Sequence, residues 1–376
     1  MNGYTFVYGT RPEAIKIKTI IENLETLNFR NYNVIYTGQQ FDYALDFSQN
    51  LELYPNIIMK LSDTNFTLTA LFSEILRGLT EYDQSINSSV IVQGDTLSAL
   101  VAGIYTKLTK RNLIHVEAGL RSYDKSEPFP EEISRVVIDH LCDVHITPTE
   151  QAKQNLINEG VAEEKIYNFG QTGIDRLIKL TQDKSEAKNL VSNSEINKSL
   201  IENKKKILIT LHRKENITNI REICETINSL SRTLQRCQFT FIMHSNPGIS
   251  NEQRRVLNER ENLSLKQPQS YFDMLSEILQ SDLILTDSGG IQEECAVLNK
   301  PIYVLRNSTE RPEILDGNSR IVKANYIKDL EKDLMIFITK VRKPLGLNSK
   351  LISQYGSGMA GLNIAEFLIK KQDGAN

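Results

Sequence analysis

At 376 residues with a net charge of −3, the chain is long enough for two domains and offers no bulk electrostatic attraction for nucleic acid or an anionic membrane. Apolar content of 40% and charged content of 24% suit a globular protein, and no run approaches the roughly 18 apolar residues of a membrane span. The four cysteines form no CxxC pair, the five histidines show no metal-ligand spacing, and the start lacks the basic and apolar regions of a signal peptide, so the sequence predicts a cytoplasmic protein without a metal.

Short apolar strands alternate with helical segments along the whole chain. Strands are predicted at Tyr4–Tyr8, Asn33–Thr37, Ser89–Gln93, Leu113–Val116, Val144–Thr147 and Ile166–Phe169. A second set follows at Lys206–Thr210, Phe239–Met243, Leu263–Leu265, Leu283–Thr286, Pro301–Val304 and Arg320–Val322. Strands separated by helices imply parallel sheets covered on both faces, and two sets of about six imply an α/β chain of two Rossmann-like doubly wound domains. The polar stretch Asp183–Lys205 lies near the boundary, which is set at residue 172; residues 173–355 form the second domain. Residues 356–376 are expected to form a C-terminal helix packing back on the N-terminal domain.

Ligands of doubly wound sheets bind beyond the carboxyl ends of the strands, so those positions carry the functional argument. After the first strand comes Gly9-Thr10-Arg11-Pro12-Glu13-Ala14-Ile15-Lys16, with Pro12 in the first helical turn and Arg11 and Lys16 suited to a diphosphate. Gln93-Gly94-Asp95-Thr96 follows the third strand, where Asp95 can cap the next helix or serve the site. Glu117, in His115-Val116-Glu117-Ala118-Gly119-Leu120-Arg121, closes an apolar strand where capping chemistry is poor, so a functional carboxylate fits better. Pro130-Glu131-Glu132 opens a helix with Arg135 on its face. In the second half, His212 and Arg213 end one strand and His244 the next; both histidines stand where a phosphate donor or general acid would.

The segment Thr286-Asp287-Ser288-Gly289-Gly290-Ile291-Gln292-Glu293-Glu294 is a strand–turn–helix with the character of a phosphate site. The helix is expected to run from Ile291 to Leu298 with two carboxylates in its first turn, and Glu294 is placed to meet ribose hydroxyls. A helix N-terminus supplies up to about 2 kcal/mol, whereas a micromolar ligand needs about 8, so other contacts must contribute. Arg306–Glu313 adds a polar cluster after a buried strand.

Together, Gly9–Lys16, Gln93–Thr96, His115–Arg121, Pro130–Arg135, Thr210–Asn216, Asp287–Glu294, Thr309–Glu313 and Tyr355–Ala360 resemble the bacterial non-hydrolysing UDP-N-acetylglucosamine 2-epimerases, in order and nearly over full length. The resemblance implies a GT-B-type architecture with an active site in the interdomain cleft, a homodimer, no cofactor and a UDP-sugar substrate. It implies that UDP is eliminated across C1–C2 to leave 2-acetamidoglucal and then adds back, converting UDP-GlcNAc to UDP-ManNAc. By motif position, Asp95, Glu117 and Glu131 are the acid/base carboxylates, and His212 contacts the phosphate or assists its departure. Arg11, Lys16, Ser288, Gly289 and Gly290 would hold the diphosphate, Gln269 and Glu294 the uridine part, with Arg311 in support; Arg135, Arg213, His244 and Met274 complete the expected binding set.

Two departures bear on substrate. Gly38-Gln39-Gln40-Phe41-Asp42-Tyr43 stands where members using UDP-GlcNAc commonly carry Gln-His-Arg, and is similar to relatives acting on 6-deoxy-talosamine or diacetamido-uronate sugars. Asn65 stands where several members carry an arginine that helps bind a second, activating UDP-GlcNAc. A non-catalytic nucleotide-sugar binding protein, the other class of function, would be expected to lack one of the three carboxylates.

Overall fold

The structure, a computed structural model, describes residues 3–40, 53–61, 67–182, 204–307, 309–315, 319–322, 330–339 and 347–373. The chain divides into two compact units: residues 1–179 with 352–376, and residues 180–351. Most of the polar stretch Asp183–Lys205, the Phe41-Asp42-Tyr43 segment and Asn65 lie outside the described residues.

In the first unit the strands are β1 (Tyr4–Tyr8), β2 (Tyr32–Tyr36), β3 (Ile57–Ile58), β4 (Ser89–Gln93), β5 (Asn112–Val116), β6 (Val144–Thr147) and β7 (Ile166–Asn168). They pair in the order 3-2-1-4-5-6-7, every pairing parallel. The helices are α1 (Arg11–Thr26), α2 (Leu68–Glu81), α3 (Leu97–Leu108), α4 (Glu131–Leu141), α5 (Glu150–Asn158) and α6 (Thr172–Gln182), with α14 (Ala360–Asp373) from the end of the chain. Because both faces of a parallel sheet are covered, its strands are apolar throughout rather than alternating. Val7, Ile35, Val90 and Val92 pack on one face with Ile75 and Leu79 of α2, Val101 and Tyr105 of α3 and Ile138 of α4. Each such side chain contributes about 1.5–3 kcal/mol of burial.

Helix α14 packs against α1. The Tyr4 hydroxyl donates to the Leu368 carbonyl at 2.7 Å, and Ile364, Ala365 and Leu368 are fully buried. The Asp175 carboxylate accepts from the first amides of α14, Ala360 N at 3.2 Å and Gly361 N at 2.6 Å. Burial nevertheless raises its pKa to about 6.

The second unit repeats the plan with β8 (Lys205–Thr210), β9 (Cys237–Ile242), β10 (Leu263–Lys266), β11 (Leu283–Thr286), β12 (Ile302–Val304) and β13 (Arg320–Ile321). Its parallel order is 10-9-8-11-12-13, the same 3-2-1-4-5-6 arrangement. The helices used below are α7 (Lys214–Thr218), α8 (Ile220–Thr233), α9 (Pro247–Val256), α10 (Tyr271–Gln280), α11 (Gly289–Val297), α12 (Leu330–Thr339) and α13 (Ser349–Gln354). Its core joins Ile207, Ile209, Phe239, Phe241, Leu283 and Leu285 of the sheet to Ile223, Ile227 and Leu230 of α8 and Leu334 of α12. Two parallel Rossmann-like sheets are the GT-B-type fold class expected from the sequence. Ile57–Ile58 was not foreseen: a two-residue edge strand is too short to show a period.

Candidate active site

In the first unit the strand order reverses at β1, which pairs with both β2 and β4. The loops leaving β1, β4 and β5 meet there, as the crevice rule requires. Gly9 turns the chain at the end of β1, and no other residue fits: a Cβ would lie 1.9 Å from Ser98 Oγ and 2.5 Å from Thr37 Oγ1. Thr10 then starts α1, and Glu13 reaches back to accept from Gly9 N at 3.0 Å and Thr10 N at 2.7 Å. The other Glu13 oxygen accepts from Thr96 Oγ1 at 2.7 Å, so one buried carboxylate links the loop after β1 to the loop after β4. Burial drives its pKa up to about 7, against the lowering effect of those hydrogen bonds. The sequence reading assigned Glu13 no role, although Thr-x-x-Glu ahead of an apolar helix is a capping-box signature.

Asp95 does not cap α3. Thr96 does, its hydroxyl accepting from Ala99 N at 3.1 Å. Asp95 is thereby left to the site, half-buried, with Arg135 Nη2 at 2.5 Å. Arg135 is almost fully buried on α4 and is also held by Glu132 at 2.7 Å. Glu132 in turn fixes the preceding loop by accepting from Ser122 N and Tyr123 N. Glu131, half-buried, opens α4 one residue ahead of it.

Glu117 follows β5 with a φ of 71°, a left-handed conformation uncommon for a non-glycine residue. Ile146 O holds the turn there by accepting from both Glu117 N and Ala118 N, at 2.9 and 3.0 Å. Backbone strain that its surroundings impose in this way concentrates at functional sites. Lys16 Nζ and Gln93 Nε2 both donate to Glu117 Oε2. Lys16, expected at a diphosphate, therefore pairs with the carboxylate of this unit. Arg11 is half-buried, and its backbone N–H donates to Gln40 Oε1 at 3.1 Å. The substrate-suggestive segment beginning at Gly38 is thus fastened to the Arg11 turn. Asp95, Glu117, Lys16 and Arg135 form two cation–carboxylate pairs whose turns Glu13 and Gln93 hold together.

In the second unit the order reverses at β8, which pairs with β9 and β11. Helix α11 begins at Gly289, two residues earlier than expected. Glu293 and Glu294 consequently fall in its second turn, and the first turn carries no acidic residue, which leaves the positive end of the helix open to an anion. Gly289 is buried, and a Cβ on it would lie 2.7 Å from Arg311 Nη1; the space beyond Gly290 is open. Ser288 N donates to Thr286 Oγ1 at 3.1 Å.

Asp287, fully buried, accepts from His212 N at 2.9 Å, Arg213 N at 3.0 Å and Asn216 Nδ2 at 2.9 Å. It thereby locks the His212 turn after β8 to the Ser288 turn after β11. His212 Nε2 shares a 2.6 Å hydrogen bond with Thr210 Oγ1, and its ring centroid lies 6.0 Å from that of His244. His244 Nδ1 accepts from Asn246 N at 2.9 Å; burial and the neighbouring His212 lower its pKa, with Asp287 opposing. Arg311 is buried between Glu293, 2.5 Å from its Nε, and Glu310. Glu310 also meets Arg306 at 2.8 Å and Arg213 at 3.8 Å. Glu294 on α11 and Met274 on α10 are half-buried, as is Gln269, whose Nε2 donates to Gln267 O at 2.6 Å. Asp287, Glu293 and Glu310 organise this half and were absent from the expected site.

These geometries can be compared with known proteins. A family model described as UDP-N-acetylglucosamine 2-epimerase matches residues 22–369. The chain belongs to this family. A Campylobacter jejuni UDP-N-acetylglucosamine 2-epimerase is 33% identical over 374 residues, 97% of this chain and 96% of the relative. The crystal structure of the Neisseria meningitidis UDP-GlcNAc 2-epimerase bound to UDP-GlcNAc matches with a TM-score of 0.85 at 30% identity, covering 98% of this chain and all of that one. The Methanocaldococcus jannaschii enzyme in complex with UDP-GlcNAc and UDP matches with a TM-score of 0.82 at 30% identity, covering 98% and 99% of the two chains. The chain is accordingly an isomerase of the 2-epimerase family. No helix among its described residues is long and apolar enough to cross a membrane.

Proposed function

We propose that this family member inverts C2 of a UDP-HexNAc, UDP-GlcNAc to UDP-ManNAc, without net hydrolysis. The observation that carries the reading is the cluster after β1, β4 and β5, where Asp95 and Glu117 stand on linked turns, each beside its own cation. A C2 proton is too weakly acidic for simple removal and return. Removing it as the C1–O bond to UDP breaks places the electron pair in a C1=C2 double bond, giving 2-acetamidoglucal and UDP. One carboxylate takes the proton. A second, already protonated, delivers one to the opposite face of C2 while UDP re-forms its bond to C1. Asp95, Glu117 and Glu131 supply these roles. His212 and Arg213, with Arg11 and the Ser288-Gly289-Gly290 turn, stabilise charge on the departing diphosphate.

A second reading keeps the reaction and changes the sugar, to a 6-deoxy-talosamine or diacetamido-uronate type. It is favoured by the Gln39-Gln40-Phe41 sequence, whose Gln40 holds the Arg11 backbone. Incubation in D₂O with a panel of UDP-HexNAc sugars tests both readings. Deuterium should enter C2 of the recovered sugar nucleotide, fastest with the true substrate. Absence of exchange with every member of the panel would overturn the assignment and favour a binding protein.

A further inference from the structure

His115 stands on β5 two residues before Glu117, and its ring bonds to Asp139 and to the Gly94 carbonyl. Its ring is fully buried. Nδ1 lies 2.6 Å from Asp139 Oδ1 on α4, and Nε2 lies 2.8 Å from Gly94 O, the residue before Asp95. A carbonyl can only accept, so Nε2 carries a proton. The proton between Nδ1 and Asp139 could sit on either group. Asp139 Oδ2 already accepts from Gly119 N at 3.1 Å and from Arg121 Nη1 at 2.7 Å, which stabilises the carboxylate and leaves the proton on the ring.

The surrounding charges agree. Arg121 is buried, and Glu159 holds its other side with hydrogen bonds of 2.8 and 2.7 Å. A protonated His115 makes the set His115, Arg121, Asp139 and Glu159 neutral overall; a neutral ring beside an ionised Asp139 would leave it one negative charge in excess. The neighbouring histidine fits as well. His145, paired with His115 across β5 and β6, donates Nε2 to Asp139 O at 2.8 Å, and its buried Nδ1 has no hydrogen-bond partner. It is thus a neutral ring. Burial and the charge on His115 lower its pKa, partly offset by Asp139.

We infer that His115 is a positioning residue, held as an imidazolium, that ties the turn bearing Asp95 to the turn bearing Glu117. One ring nitrogen fixes the Gly94 carbonyl. The other, through Asp139 and Gly119 N, fixes the far side of the Glu117 turn. Loss of the proton would set a nitrogen lone pair against either the Gly94 carbonyl or the Asp139 carboxylate and release one of the two turns. Its kinetic consequence rests on the epimerase reading; its protonation state does not.

The test uses the full-length ¹⁵N-labelled protein, with the His115 ring assigned through its own backbone. Both ring nitrogens should be protonated at pH 7, and a neutral tautomer there overturns the inference. His115→Gln should lower kcat at least tenfold and keep UDP affinity within about twofold. A kcat within twofold of native, or equal losses of kcat and UDP affinity, would also overturn the positioning role. A native protein inactive on every UDP-HexNAc would refute the epimerase reading instead, while the NMR measurement still decides the proton.

Discussion

The two units share the strand order 3-2-1-4-5-6, to which the first adds β7, and carry different side chains in the loops at the reversal point. In the first, two of the three candidate acids are matched with cations, Glu117 with Lys16 and Asp95 with Arg135. In the second, a helix start is left free of acidic residues, and buried carboxylates are set behind it, Asp287 under the His212 turn and Glu293 and Glu310 around Arg311. On the proposed reading, one scaffold presents proton-transfer groups in one copy and anion-accepting groups in the other. The chemistry resides in a few side chains per loop, and the fold supplies only their addresses.

The largest test of this division is Glu117→Gln. It should lower kcat by about 10²–10⁴-fold, the usual worth of a general acid or base, while UDP binding by calorimetry stays near native. A matching loss of UDP affinity would place Glu117 with the anion-binding groups instead. Arg311→Ala attacks the other unit. It leaves Glu293 and Glu310 buried without this partner, so urea unfolding should show a loss of about 3–5 kcal/mol. A loss below about 1 kcal/mol would mean that the remaining cations suffice.

A third, smaller effect separates scaffold from chemistry in the first unit. Folded Glu13 keeps its proton up to about pH 7, whereas the unfolded chain releases it near 4.5. Between these values the folded state binds more protons, so stability falls as pH rises. The contribution is fully present below about pH 4.5 and lost by about pH 7, on the order of 3 kcal/mol. Urea midpoints of Glu13→Gln should lack this component across the same window. Parallel pH slopes for the native protein and variant would remove Glu13 from the account.

Much of this was legible in the sequence because parallel strands buried on both faces are short apolar runs, and functional side chains cluster just past them. That rule points to Glu117, Asp95 and the Ser288 turn, which lie just past β5, β4 and β11. What escaped depended on partners distant in sequence. Asp139 lies 24 residues from His115, and Glu13 lies 83 from Thr96; only strand–helix packing brings either pair together. Local competition hid the rest. Asp95 and Thr96 are both good caps, and the structure uses the threonine. Gly289 and Gly290 read as turn but are the first turn of a helix, which displaced Glu293 and Glu294 by half a turn.

The final helix has a consequence for biosynthesis. Residues 352–376 belong to the same compact unit as residues 1–179, and α14 buries Ile364 and Leu368 with α1 beneath it. During translation the second unit is therefore complete before the first. The first unit, though begun earliest, keeps an uncovered face on α1 until α14 has emerged from the ribosome, and in that interval it is the half exposed to chaperones and proteases.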